Sequence, residues 1–319
     1  METLAVTLAI RDYDFVAPLA LGDVSPDGVA LTLVRTFGAL ERVQKDASVH
    51  GGEASFSRYV QRLAAGDRTF VGLPAFVMRE FRHRNFFVRR GSRLTDLDQL
   101  AGMRIGLDAW PASGNTWSRG LLGEAGVGLD RVRWVVGPVN PGDPPRADDP
   151  LPAGVEAAAP GRPLRDMLVA DELDVLIWAW PPAGFYEPDS PIVRLYPDFR
   201  GVERDYYRRT RIYPAHHIVV LRRKLVEREP WMVRSLYRAL VEARAQADQT
   251  RLRLHEPSAW FLADLEEERA LFGSEFAPYG YRENRAMVAA FCREQFAQGL
   301  IGKPLDPDQV FADFEALIG

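Results

Sequence analysis

One cysteine, Cys292, stands among 319 residues, so neither an internal disulfide nor a thiolate metal cluster can form. There are five histidines. None falls at His-x-x-x-His spacing or at a fixed offset from a carboxylate, as a zinc site needs. The expectation is no metal and no cofactor. No run of ~20 apolar residues occurs, so no membrane-spanning helix is expected. The N-terminal METLAVTLAIRDYDF lacks a basic n-region, a long apolar stretch and a cleavage site. Cytoplasmic residence is the expectation for the chain as it stands. Neither sign of charge is in excess, with 40 Lys+Arg against 44 Asp+Glu and a net charge of -4, so nothing suggests a nucleic-acid partner. Lysine is nearly absent: all but three of the basic residues are arginine. Genome composition alone can produce that bias, although arginine is also the side chain that forks onto carboxylates.

What is present is ample apolar material, 47% of the chain, enough for a sizeable core and two lobes. LAVTLAI and VALTLVRT alternate as strands, and FVGLPAFVM, NFFVRR, VRWVVG and HHIVVLRR continue the series. Helical patterns separate them, as in SRYVQRLAAG and NTWSRGLLGEAG, and everything after Glu229 reads as helices broken by GSEFAPYGYREN. Strands alternating with helices give an α/β fold. A late strand followed only by helices suggests that the C-terminal part completes the first lobe. The expected division is 1–88 plus 212–319 as one lobe and 89–211 as the other. A Pro/Gly-rich surface loop is expected over 138–163. In such a body the ligand is expected in an interlobe cleft, where strand ends and helix N-termini meet.

The stretch VMREFRHRNFFVRRGS, residues 77–92, reads as a buried strand with Arg82-His83-Arg84-Asn85 in its middle. These polar residues either alternate outward to solvent and ion pairs or face a ligand. On a regular strand Arg82 and His83 would point to opposite faces, so a bend is needed for both to reach one cavity. The same rule applies to His216 and His217 in PAHHIVV: at most one faces a cleft. Ser55 and Ser57, and then Ser113, Asn115 and Thr116, precede or open helices. They suit capping, and the same donors suit an anion. Trp110, Trp178 and Trp180 are candidates for an aromatic wall, Trp110 foremost because it lies in a loop. Asp14 follows the first strand and can orient a His or an Arg, and Tyr279 in APYGYREN is a candidate rim residue.

RDYDFVAPLALGDVSPDGVAL, EASFSRYV, FRHRNFFV, LAGMRIGL, NTWSRGLLGEAGV, LRDMLVADELDVLI, YYRRTRIYPAHHIVVLRRKL, PYGYRENR and QGLIGKPLDPDQVF occur in that order across nearly the whole chain. As an ordered set they resemble the 4,5-dihydroxyphthalate decarboxylase family, which is related to the type-2 periplasmic binding proteins. The resemblance implies a two-lobe binding-protein fold. It favours Arg82 and His83 as cleft residues and His217 as the inward histidine of its pair. It also raises Arg119, which with Trp117 and Gly120 matches the family's Trp-x-Arg-Gly. The chain departs from the family pattern at His50, where an aspartate is usual, at Arg84-Asn85, where small hydroxyl residues are usual, and in AWPASGNT. His50 is therefore a candidate substrate contact particular to this chain, and the family fold carries over more fully than its substrate.

The activity implied is cofactor-free decarboxylation of a hydroxylated aromatic acid. Cations hold the carboxylate, with Arg82 and Arg119 as candidates. Of His83 and His217, one delivers the proton and the other partners the phenol. Two rival readings stay open: a substrate-binding protein for a small carboxylate, serving a transporter or sensor, and another lyase, such as a dehydratase, on the same fold. The partner in each case is a small aromatic or cyclic carboxylate, with self-association left open.

Overall fold

A computed structural model of the chain describes residues 3–144, 150–253, 258–273 and 276–318, with the side chains of residues 40 and 41 excepted. Residues 145–149 of the expected 138–163 loop lie outside the described part.

Strands β1 (Leu4–Ile10), β2 (Val29–Arg35), β3 (Gly51–Ser55) and β4 (Phe70–Arg79) come first. They are followed by β5 (Phe86–Arg89), β6 (Arg104–Leu107), β7 (Arg133–Val136), β8 (Val155–Ala157), β9 (Val175–Ile177), β10 (Ile192–Arg194) and β11 (Ala215–Arg222). Among the described residues they form two sheets, of order β2-β1-β3-β11-β4 and β10-β5-β9-β6-β7-β8. The chain divides into two compact units accordingly. The first comprises Met1–Arg79, Ala215–Arg293 and Ile301–Gly319, and the second Glu80–Pro214 and Glu294–Leu300. The mixed α/β class follows from the sequence pattern.

In the first sheet β1, β2 and β3 are parallel, while β11 runs antiparallel between β3 and β4. One glycine makes the β1–β3 approach possible. A Cβ on Gly52, whose φ is +137°, would lie 2.0 Å from the Ala9 carbonyl oxygen. The core of this unit packs Val6, Leu8 and Ile10 of β1 with Leu73 and Val77 of β4. The long helix Trp231–Arg253 closes it with Met232, Val233, Leu236 and Leu240.

In the second unit the core gathers Phe87, Val135, Leu164, Leu168, Leu176 and Ile192. Here the sequence expectation needs correction: residues 77–92 are not one strand. β4 ends at Arg79, and β5 begins at Phe86 in the other sheet. Between them Arg82 takes helical dihedrals (φ −108°, ψ −7°) and His83–Asn85 form a single 3-10 turn. The turn is fixed by a buried carboxylate. Glu203, 3% exposed, accepts from the Arg84 backbone N–H at 3.1 Å and from both arms of the Arg84 guanidinium, Nε at 3.0 Å and Nη2 at 2.5 Å. Asn85 Nδ2 donates to the Ala179 carbonyl at 2.9 Å. Arg84 and Asn85 interrupt an apolar run because they carry the hydrogen bonds that hold the turn.

Among the described residues no helix is long and apolar enough to cross a membrane, and no group of three or more His, Cys, Asp or Glu could hold a metal ion.

Candidate active site

The carboxyl ends of parallel strands are where α/β sheets place reactive groups. In the first unit four side chains meet there. Glu53 of β3 is fully buried. Its Oε2 accepts from the Arg11 backbone N–H at 2.9 Å, just past the end of β1. Its Oε1 accepts from the Tyr13 hydroxyl at 2.8 Å and lies 2.5 Å from Nδ1 of His217. The Arg11 guanidinium approaches the same oxygen, with Nε at 3.6 Å.

His217 arrives from β11, whose register against β4 shifts on either side of it. The irregularity turns the ring toward Glu53. His216 is buried at 3% exposure, so both imidazoles of the pair are taken up by the body of the unit.

Electrostatics fix the protonation. Burial alone would raise the Glu53 carboxyl, but the hydrogen bond and charge of His217 and the Arg11 guanidinium overcome it and hold the group below its ordinary range. Burial lowers the imidazole of His217, against the pull of Glu53. The state consistent with both is a carboxylate facing a neutral imidazole. A carboxylate only accepts, so Nδ1 carries the proton and Nε2 keeps a lone pair. With 12% of its side chain exposed, His217 remains reachable. The Tyr13 hydroxyl is driven far above its normal pKa by burial and by Glu53, and stays a donor.

The second unit holds Arg82 and His83. Arg82 is 2% exposed; Nη1 donates to Glu80 at 3.1 Å and Nε to Ser118 at 3.2 Å. His83 sits edge-on to Tyr206 and Tyr196, with ring centroids at 5.2 and 6.1 Å, and its Nδ1 has no hydrogen-bond partner. Burial first, then Arg209 and Arg84, push its pKa down to about 4, so it is neutral near pH 7. Arg82 and His83 line one narrow crevice, too tight for a water molecule, with Phe81, Trp117, Leu121 and Tyr206. The turn therefore does bring both to one place. His83 and His217 belong to different units.

The other expected residues fall as follows. Arg119 is 1% exposed, with Nε on Gln298 at 2.8 Å, Nη2 on the Trp110 carbonyl at 2.8 Å and its guanidinium 4.0 Å from the Trp110 ring centroid. Trp110 is itself buried and edge-on to Trp134, so it packs inside the second unit despite its place in a loop. Trp178 and Trp180 stack edge to face, and Trp180 is exposed. Ser55 caps the helix Phe56–Ala64 by accepting from the Arg58 N–H, while Ser57, the second helical residue, is buried and accepts from Gln61. Capping by Ser113, Asn115 and Thr116 is corrected: the N-cap of Ser113–Glu124 is Ala112, with no side-chain cap. The preceding loop recruits these side chains instead, Asn115 binding Asp108 and the Ala109 carbonyl and Thr116 binding the Ala112 carbonyl. His50 Nδ1 accepts from the Thr7 N–H at 2.9 Å, toward the other end of β3 from Glu53. Asp14 is exposed and pairs with Arg251 at 2.5 Å. Tyr279 is a core residue under the Arg244 guanidinium, not a rim residue.

Glu53 and Arg11 escaped the sequence reading. The available signal was a carboxylate between glycines and apolar residues, in GGEAS, on a strand too central to expose it.

No protein-family model matches the chain. By structure it is similar to the periplasmic aliphatic sulphonate binding protein SsuA of Escherichia coli, with a TM-score of 0.53, 12% identity and 96% of each chain covered. It is also similar to the SsuA of Methylobacillus flagellatus KT, at 0.53 and 12%, covering 98% of this chain and 94% of that one. These likenesses show the fold, that of the two-lobe periplasmic binding proteins. By sequence it is 31% identical over 325 residues to a 4,5-dihydroxyphthalate decarboxylase of Comamonas testosteroni, covering 98% of this chain and 97% of the relative. A Pseudomonas putida protein of the same name is 31% identical over 214 residues, covering 65% of this chain and 83% of its own. Identity of this extent over the full length shows that the chain belongs to the 4,5-dihydroxyphthalate decarboxylase family.

Proposed function

We propose that the protein is a carboxy-lyase that removes CO₂ from a hydroxylated aromatic carboxylate of the 4,5-dihydroxyphthalate type, with His217 as its proton carrier. The observation that carries the assignment of His217 is the buried Glu53 carboxylate on Nδ1, which leaves Nε2 as a lone-pair base on a ring still reachable from outside.

The chemistry follows from that state. Nε2 takes the proton of a ring hydroxyl ortho or para to the carboxylate, and the imidazolium formed is stabilised by Glu53. The phenolate pushes electrons to the carbon bearing the carboxylate. The imidazolium delivers its proton there, and the new C–H bond forms. The C–C bond to the carboxylate then breaks, its electron pair returns to the ring and CO₂ leaves. The product phenolate is reprotonated by water, so charge and protons balance. A positioned acid–base group contributes ~10²–10⁴-fold.

His83 has the weaker claim to this role. Its ring packs against Tyr206 and Tyr196 and its Nδ1 lacks a hydrogen-bond partner among the described residues, whereas Nδ1 of His217 faces Glu53. Arg82, tied to Glu80, holds the turn on which His83 sits.

The test is CO₂ release from 4,5-dihydroxyphthalate and from mono- and dihydroxybenzoates, by wild type and by His217→Gln and His83→Gln. The reading expects release by wild type, loss of ~10²-fold or more in His217→Gln and a smaller effect in His83→Gln. Tight binding of these acids with no CO₂ would instead identify a binding protein.

A further inference from the structure

We infer that Arg11 is the cation that grips the carboxylate of the substrate, an assignment that rests on the decarboxylase reading of the Glu53–His217 site. Arg11 follows directly on β1 and is anchored through its backbone, whose N–H donates to Glu53 Oε2 at 2.9 Å. Its guanidinium is placed but under-coordinated. Nη1 meets the Met78 thioether, at 3.6 Å, and sulfur of that kind is a weak acceptor. Nε is buried, makes no hydrogen bond and lies 3.6 Å from Glu53 Oε1, beyond hydrogen-bond length. The guanidinium also interacts with the Tyr13 hydroxyl and pairs with Glu53, yet Nε, one of the five N–H donors of such a group, is left over.

Glu53 does not need that guanidinium as a hydrogen-bond donor. Its two oxygens already accept from the Arg11 N–H, the Tyr13 hydroxyl and His217 Nδ1. A fixed cation with spare donors is matched by a planar anion that can accept two parallel bonds, which is the geometry of a carboxylate. The side chain is 16% exposed, so one edge can be reached. It flanks the same Glu53 oxygen as His217, and Met78 is the β4 residue paired with His217. The carboxylate held by Arg11 thus lies beside the imidazole that handles the proton. Arg82 and Arg119 already donate to Glu80, Ser118, Gln298 and the Trp110 carbonyl, and although Nη1 of Arg119 is also left over, that residue is only 1% exposed.

The experiment is equilibrium titration with two probes that need no turnover: phthalate, which has carboxylates and no hydroxyls, and catechol, which has hydroxyls and no carboxylate. In Arg11→Gln the affinity for phthalate is expected to fall about 10- to 100-fold, the loss of one charge-assisted fork. Catechol affinity should stay within about twofold. Arg11→Lys keeps the charge without the fork and should fall between. Unchanged phthalate affinity in Arg11→Gln, or equal loss for both probes, overturns the inference. If Arg11→Gln shows no cooperative melt, Arg11→Lys decides alone: selective loss for phthalate supports the assignment and unchanged affinity refutes it. A wild type that binds phthalate through Arg11 yet releases no CO₂ from the dihydroxylated acid would keep this inference and remove the reaction. A wild type that does not bind phthalate would refute it.

Discussion

At the scale of single residues, two ionisable groups decide the pH behaviour. In the proposed reaction His217 is a neutral base, and its pKa lies below the 6.5 of an ordinary imidazole because burial outweighs Glu53. The acid limb of the pH–rate profile should therefore fall below pH 6.5. Glu53→Gln removes the charge that favours the imidazolium, so the limb should move to still lower pH while turnover drops ~10–100-fold, the range for a group that orients a ligand-handling histidine. Pre-steady-state pH profiles of both proteins check this; an unmoved limb would remove Glu53 from the proton path. His83 gives a separate prediction for stability. Its folded pKa of about 4 lies below the ordinary 6.5, so between these values the unfolded chain binds the proton and the folded chain does not. Stability from this residue is complete above pH 6.5 and is lost as pH falls toward 4, by up to ~3 kcal/mol. In urea titrations the wild type should lose this stability between pH 6.5 and 4 while His83→Phe does not, and the same pH dependence in both would refute it. The family resemblance pointed to His83 and His217. The sequence did not point to Glu53 or Arg11, because carboxylates and arginines are many and their burial depends on which strands lie in the middle of a sheet.

At the scale of elements, the legible parts were those with a clean hydrophobic period. β1, β2, β4 and β11 follow from alternation or apolar runs. The break at residues 80–85 did not, because its cause is a partner more than a hundred residues away: Glu203 binds both the backbone and the guanidinium of Arg84. Arg84→Ala should leave that carboxylate buried and unpaired, at a cost of about 2–4 kcal/mol. The exposed Arg208–Asp205 pair should show no measurable cost when broken. Equal chemical-denaturation midpoints for the two variants would refute the role of Glu203. The β1–β3 contact makes a sharper demand. Gly52→Ala combines a φ of +137° with a Cβ 2.0 Å from a carbonyl oxygen. It should destabilise the fold by ~3 kcal/mol or more and disturb Glu53, the next residue. A variant melting with wild type would contradict this account of the strand pairing. The helix Ser113–Glu124 carries the opposite lesson. Its hydroxyl and amide residues look like caps, but they are buried inside the helix and bound to the loop before it.

At the scale of the whole molecule, the α/β class was legible because strand and helix periods alternate up to about residue 229, and the binding-protein fold because the family likeness spans nearly all of the chain. The site was legible only in part. A carboxylate-fixed histidine needs β3 beside β11, a pairing between residues 164 apart in sequence that no local pattern encodes. The central claim is that this pair moves a proton from a ring hydroxyl to the carbon that loses CO₂. The most direct measurement incubates the protein with 4,5-dihydroxyphthalate in D₂O and follows CO₂ and the aromatic product together, by gas analysis and proton NMR. The account predicts one CO₂ per product and one deuterium on the carbon that bore the carboxylate, with both signals lost in His217→Gln. Saturable binding of the acid with no CO₂, or full CO₂ release by His217→Gln, would contradict it.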